Sequence, residues 1–285
     1  MAKTKKTNKL RNAAVIAVLL AVVLLIGVAA YGIQREIKAK EARLLNISAP
    51  VDPESLIPRS TYDVRNFVWG EDGRVTYEDD VWTTRTGIDV SSFQYDVDWE
   101  DVAADGIEFA VIRLGYRGYG NGALREDEYF RQNLEGALAA GLEVGVYFFS
   151  QAISIDEARE EAAYVMKLLD GAELKQPVYY DWEPIYFDTA RTDGLPGDVV
   201  TANARAFCET IEAGGYEAGI YFNQHDIYNV IELENLTDFP LWYAQYNETP
   251  DMIYDFWCWQ YTDQGVVEGV ATAADLSIQF VRKEP

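Results

Sequence analysis

Residues 140–184 read AGLEVGVYFFSQAISIDEAREEAAYVMKLLDGAELKQPVYYDWEP, and the alternation inside this stretch decides the fold class. Glu143–Phe149 and Pro177–Trp182 are short apolar runs rich in aromatic and β-branched residues, as strands are. Between them Ile155–Leu169 places apolar residues at helical spacing, with Ser154 and Asp156 available as N-terminal caps and Gly171 as a stop. Two strands joined by a full helix are the unit of a parallel sheet.

The same rhythm extends in both directions. Further candidate strands are Gly87–Val90, Phe109–Leu114, Glu217–Phe222, Leu241–Ala244, Phe256–Gln260 and Ala274–Ile278. Further candidate helices are Glu126–Ala140 and Val199–Ala213, stopped by Gly141 and Gly214. About eight strands in about 200 residues predict an α/β domain of the TIM-like β/α barrel kind. The last three strands are separated by too little sequence for full helices, so the barrel is expected to be irregular.

In such a barrel the functional groups gather at the C-terminal ends of the strands. Asp89 ends the first strand, Asp181 and Glu183 end the fourth, and Asp275 lies in the last. Closure would make Asp89 and Asp275 neighbours. Asp181 and Glu183 are spaced i, i+2, which puts both on one face of a strand and turns Trp182 to the other. Two acids in one cleft push their pKa values apart, so one keeps its proton while the other ionises. Glycosidic cleavage needs that division between an acid and an anion. A single strand-end acid is more simply a helix cap or a partner for Lys or Arg; four converging on one mouth favour a catalytic role.

Charge and side-chain inventory exclude other chemistries. All 47 acidic residues follow residue 33, against 19 basic ones over the same stretch. A body this acidic repels phosphate backbones, so nucleic acid is not an expected partner. The lone His225 rules out a histidine-rich zinc site or a metal-dependent deacetylase, and nothing beside it suggests a Ser-His-Asp triad. Neither metal nor cofactor is expected. Cys208 and Cys258, 50 residues apart, admit one disulfide or two buried thiols.

Ala13–Ile33 is a 21-residue run without charge, preceded by Lys3, Lys5, Lys6, Lys9 and Arg11. At about 1.5 Å per residue it matches a hydrocarbon core of roughly 30 Å, and the basic cluster favours a cytoplasmic N-terminus. Small residues at Val28–Ala30 resemble a signal-peptide cleavage site, and cleavage there would leave the body secreted; the run is longer than a usual signal core, which favours an uncleaved anchor in the lipid bilayer, and on either reading the body is exported. The expected organisation is a basic segment over 1–12, a transmembrane helix over 13–33, a proline-containing connector over 34–85 and a catalytic domain over 86–285. The connector holds aromatics between Tyr62 and Trp82 that could pack on the domain.

Several segments together resemble glycoside hydrolase family 25, the Chalaropsis-type muramidases. They are GIDVSSFQYDVDW (Gly87–Trp99), FAVIRLGYRGYGNGAL (Phe109–Leu124), PVYYDWEP (Pro177–Pro184), GIYFN (Gly219–Asn223), LWYAQY (Leu241–Tyr246) and WQYTDQGVVEGV (Trp259–Val270). The resemblance implies hydrolysis of the β-1,4 bond between N-acetylmuramic acid and N-acetylglucosamine in peptidoglycan. It implies Glu183 as general acid, Asp181 as its assistant, and Asp89 with Asp275 completing an acidic floor. The family's last strand usually reads Asp-Leu-Asn, whereas this chain has Asp275-Leu276-Ser277, which puts the support around Asp275 in question.

Around these acids, Tyr147, Tyr221, Trp242 and Tyr246 offer rings for stacking on sugar faces. Gln94, Gln151, Asn223, Gln245 and Gln260 offer amides for sugar hydroxyls, and Arg113 is expected to pair with an acid of the cleft. About half of this set should prove structural. Two other readings of the same fold are a catalytically impaired glycan-binding module and a membrane-anchored scaffold; the first predicts loss of an essential acid, and all four acids are present.

Overall fold

The computed structural model describes residues 57–283. Residues 1–12, 13–33 and the first part of the connector, 34–56, lie outside the described residues. Among the described residues no helix is long and apolar enough to cross a membrane.

The strands are β1 (Phe67–Trp69), β2 (Val75–Tyr77), β3 (Trp82–Val90), β4 (Phe109–Arg117), β5 (Leu124–Glu126), β6 (Glu143–Ser150), β7 (Val178–Trp182), β8 (Ala218–Asn223), β9 (Leu241–Ala244), β10 (Cys258–Gly265) and β11 (Ala274–Arg282). The helices are α1 (Trp99–Ala104), α2 (Phe130–Ala139), α3 (Ile155–Leu169), α4 (Gly197–Ala213) and the single-turn α5 (Gln224–Asn229). The large sheet runs β3-β11-β10-β9-β8-β7-β6-β4-β5, and β3 also pairs with β4. That last pairing closes eight strands into a barrel, with β5 attached outside as an antiparallel edge on β4.

The expected eight-stranded α/β barrel is therefore present, and its irregularity has a definite form. From β3 through β4, β6, β7, β8 and β9 to β10 every neighbouring pair is parallel. β11 then enters antiparallel to both β10 and β3. Only residues 266–273 join β10 to β11, which suffices for a hairpin and is too short for the helix a parallel return would require.

α3 shows why its segment is helical. Ser154 accepts the N–H of Glu157, and Asp170 turns the chain left-handed at the other end. Its inner face buries Ala158, Ala162, Val165, Leu168 and Leu169 at helical spacing. The barrel interior is filled separately by Phe109, Val111, Tyr179, Tyr221, Trp242 and Cys258. Glycine makes room for these rings: a Cβ on Gly87 would sit 2.2 Å from the Phe109 ring. Both cysteines are buried free thiols.

The packed body begins upstream of the boundary expected at residue 86. β3 starts at Trp82, and its first half pairs with β11 down to Arg282. β1 and β2 form an antiparallel ribbon whose Val75 and Tyr77 are buried. Tyr62 stacks on Phe280 with centroids 3.8 Å apart, and Phe67 meets Trp259 edge-on at 5.4 Å. The segment from 57 to 85 thus belongs to the barrel's lower end. Its aromatics carry that packing, as expected of the residues between Tyr62 and Trp82, while irregular spacing hid the strands from a periodicity reading.

Candidate active site

The parallel strands all point their C-terminal ends toward one mouth, and β11 brings its N-terminal end there because it runs the other way. The register places Asp275 directly opposite Asp89. β7 delivers Asp181, two residues beyond Tyr179 and on the same inward face, and Glu183 follows just past the strand.

Burial dominates the electrostatics of these acids. The carboxyls of Asp89 and Asp275 hydrogen-bond each other. Burial and then the Asp275 charge hold Asp89 well above the usual carboxylate range, while a hydrogen bond from Gln260 pulls the other way. Asp275 is pushed up to about 6, mainly by burial. Asp181 is raised by burial and by Glu183, with the Arg113 charge opposing. Glu183 is pushed up to about 7 by burial, then by Asp226 and Asp275. Asp181 Oδ1 is buried and has no hydrogen-bond partner among the described residues. An unsatisfied buried acceptor inside a mouth is a place for a ligand donor.

The remaining expected residues divide into two groups. Gln260 sits at the centre: its Nε2 donates to Asp89 Oδ2 at 2.9 Å, and its Oε1 accepts the hydroxyls of Tyr221 and Tyr246, each at 3.0 Å. Tyr147 lies against Trp242 with centroids 6.3 Å apart. Trp242 itself is buried in the barrel interior, so it forms floor rather than an open stacking platform. Its Nε1 donates to Ser277 Oγ at 3.0 Å. The unusual Ser277 therefore supports the indole, not the Asp275 carboxylate.

Three amides are engaged within the chain. Gln94 closes a capping box with Ser91 and donates to the Ala273 carbonyl, tying two rim loops together. Asn223 caps α5 and donates to Asp226. Gln245 exchanges two hydrogen bonds with Asp251. Arg113 does not pair with a cleft acid. Its Nε donates to Asp127 Oδ2 at 2.7 Å and its Nη2 to Ser92 Oγ at 2.9 Å. Asp127, wholly buried just past β5, satisfies the guanidinium.

The family model for glycosyl hydrolases family 25 matches residues 88–270. The chain belongs to glycosyl hydrolases family 25. An autolytic lysozyme from Clostridium acetobutylicum is 27% identical over 191 residues, covering 67% of this chain and 54% of that protein. The chain thus spans about half the length of this relative. Among solved structures, a family 25 glycosyl hydrolase from Bacillus anthracis superposes with a TM-score of 0.57 at 21% identity, covering 68% of this chain and 88% of the other. The autolysin LytC from Streptococcus pneumoniae, solved with a synthetic peptidoglycan ligand, gives a TM-score of 0.62 at 20% identity over 79% of this chain and 52% of the other. At these identities the structures share the fold.

This family 25 barrel also holds residues that pattern reading passed over. Asp226 is fully buried and raises both Asp181 and Glu183. Its only local signal was Asn223 three residues earlier, which speaks of a cap. Phe93 and Tyr95 stand exposed on the loop after β3, and Tyr95 takes a left-handed φ of 56°. Gln151, one of the amides expected to bond sugar, is instead buried and donates from Nε2 to the Glu183 carbonyl at 3.0 Å, fixing the backbone that carries the acid.

Proposed function

We propose that the chain is a peptidoglycan hydrolase of the N-acetylmuramidase type, cleaving the β-1,4 bond between N-acetylmuramic acid and N-acetylglucosamine. The observation that carries this reading is the mouth of four carboxylates, where Glu183 keeps its proton up to about pH 7. Membership of the family and the lysozyme name of the Clostridium relative support it.

Asp181 and Glu183 repel each other's negative charge, so once one ionises the other holds its proton. Arg113 opposes the rise of Asp181, whereas the charges acting on Glu183 are all negative. Glu183 is then the acid that protonates the leaving glycosidic oxygen, and Asp181 the anion facing the sugar. The free Oδ1 of Asp181 accepts a substrate N–H or O–H. Asp89 and Asp275, bridged by their own hydrogen bond and steadied by Gln260, form the floor. Tyr147, Tyr221 and Tyr246 line the cleft for the sugar rings.

The apolar run over 13–33 is read as a bilayer anchor, with the N-terminus cytoplasmic and the barrel outside the cell. Residues 57–85 pack on the barrel, so 23 residues, 34–56, separate the apolar run from the packed body. At up to about 3.3 Å per residue these span several tens of ångströms, a reach suited to local wall remodelling. Intact chain in the culture medium would count against the anchor.

The test is release of muropeptides from purified peptidoglycan by the detergent-solubilised chain, beside Glu183→Gln. New reducing ends at muramic acid are expected, with a loss of about 10²–10⁴-fold in the variant. Reducing ends at N-acetylglucosamine, or equal activity in the variant, would overturn the assignment.

A further inference from the structure

Beside the four acids lies a fifth carboxylate that the proposed reaction leaves without a task. β8 runs parallel to β7 with Tyr221 opposite Asp181, and α5 follows β8 without a break. Asp226 therefore leaves the same end of the barrel as Glu183. It is fully buried. Among the described residues its carboxylate is hydrogen-bonded only from its own turn: Asn223 Nδ2 donates to Oδ2 at 2.7 Å and His225 Nδ1 lies 3.1 Å from Oδ1, while its backbone N–H donates to Asn223 Oδ1 at 3.0 Å. Among the described residues no lysine or arginine forms an ion pair with it. A buried carboxylate compensated only by one amide and one imidazole is costly to keep, and a cost of that kind is commonly retained for function.

The groups facing Glu183 are few. Asp181 comes from its own strand, Asp226 with His225 from α5, Asp275 from β11, Tyr221 from β8 and Tyr246 from the segment after β9. Arg113 acts on Asp181. After burial itself, Asp226 is the strongest influence on Glu183, ahead of Asp275.

We propose that Asp226 is a positioning residue for the acid: seated by Asn223 and His225, its carboxylate presents a negative charge that keeps the transferable proton on Glu183. The proposal rests on the muramidase reading of Glu183 as the proton donor. It separates two jobs that one acidic cleft would otherwise have to combine. Asp181 faces the substrate and must be free to ionise. Asp226, held by its own turn, supplies repulsion; it raises Asp181 as well, but there the Arg113 charge opposes it.

The variant Asp226→Asn keeps the shape. Its amide oxygen can accept from Asn223 and its amide nitrogen can donate to His225 Nδ1, so only the charge is lost. The experiment uses the full chain in detergent with 13C-labelled glutamate carboxyls, the Glu183 resonance being identified by its disappearance in Glu183→Gln. In Asp226→Asn the Glu183 titration midpoint is expected to fall by about one pH unit. The basic limb of kcat/KM on peptidoglycan should move down by the same interval, and the acidic limb, set by Asp181, should move down as well because Asp226 raises that group too. Should the asparagine variant not fold, Asp226→Ser removes the charge with a smaller group and gives the same reading. An unchanged midpoint in a folded variant overturns the proposal. So does a fall in kcat/KM at every pH without movement of the limb, which marks a merely structural aspartate. A wild-type chain that releases nothing from peptidoglycan defeats the muramidase reading, and the titration still decides whether Asp226 holds the Glu183 proton.

Discussion

The two ends of the barrel both bury polar side chains, and they treat them in opposite ways. At the lower end Arg85 pairs with Glu143 at 2.7 Å, Gln176 and Gln279 hydrogen-bond each other, and Gln176 also donates to Glu143. The Glu143 carboxyl is lowered there: hydrogen bonds from Arg85 and Gln176, with the Arg85 charge, outweigh the effect of burial. Of this cluster only Arg85 Nε lacks a partner among the described residues. At the mouth, carboxylates face carboxylates, Asp181 Oδ1 is unsatisfied, and Glu183 rises to about 7. The same residue types are spent on structure where a cation and amides complete them, and are left reactive where none does.

Breaking the lower end should cost stability and spare chemistry. Phe280→Ala removes the ring that Tyr62, Phe67, Tyr77 and Phe256 surround. A loss of about 3–5 kcal/mol is expected in denaturant unfolding, because the cavity lies where four aromatics meet. The pH limbs of any activity that survives should not move, and a shifted limb would show that the two ends are coupled.

The mouth should show the reverse, a gain in stability from a substitution that abolishes activity. The Glu183 pKa is about 7 in the folded chain against 4.5 for the free side chain. The unfolded chain therefore loses this proton first. Its stabilising contribution is complete below about pH 4.5 and is lost as pH rises through about 7. Glu183→Gln should leave stability nearly unchanged at pH 4.5 and raise it at pH 8, by up to about 3 kcal/mol. Equal melting temperatures for the two proteins at pH 8 would mean that the acid is not strained. The smallest effect belongs to Glu143→Gln, where the pair is more than a quarter open to solvent on both sides. About 1 kcal/mol or less should be lost, with no change in activity.

How much of this was legible beforehand varies residue by residue. Ser154, Gly171 and the apolar runs of β6 and β7 announce their strands and helix through local spacing. Asp89, Asp181, Glu183 and Asp275 could be located because strand ends are recognisable and strand ends make the mouth. The strands of the 57–85 segment were opaque because a ribbon packed through scattered aromatics has no period, although those aromatics did point to packing on the domain. Gln94, Asn223 and Gln245 could not be told from sugar-binding amides, since what occupies an amide is decided by its neighbours in space.

The sequence by itself therefore determined the alternation of strands and helices, the barrel class and the chemical character of the mouth. Those depend on periodicity, capping and turn residues, all of which act within a few positions of the chain. The tertiary structure alone decided that β11 runs antiparallel and sets Asp275 against Asp89, that Arg113 is satisfied by Asp127, and that Asp226 is buried at the same end of the barrel as Glu183. Burial and Coulomb interaction sum over everything nearby in space. No local pattern carries that sum, and it is the sum that keeps a proton on Glu183 and takes one from Glu143.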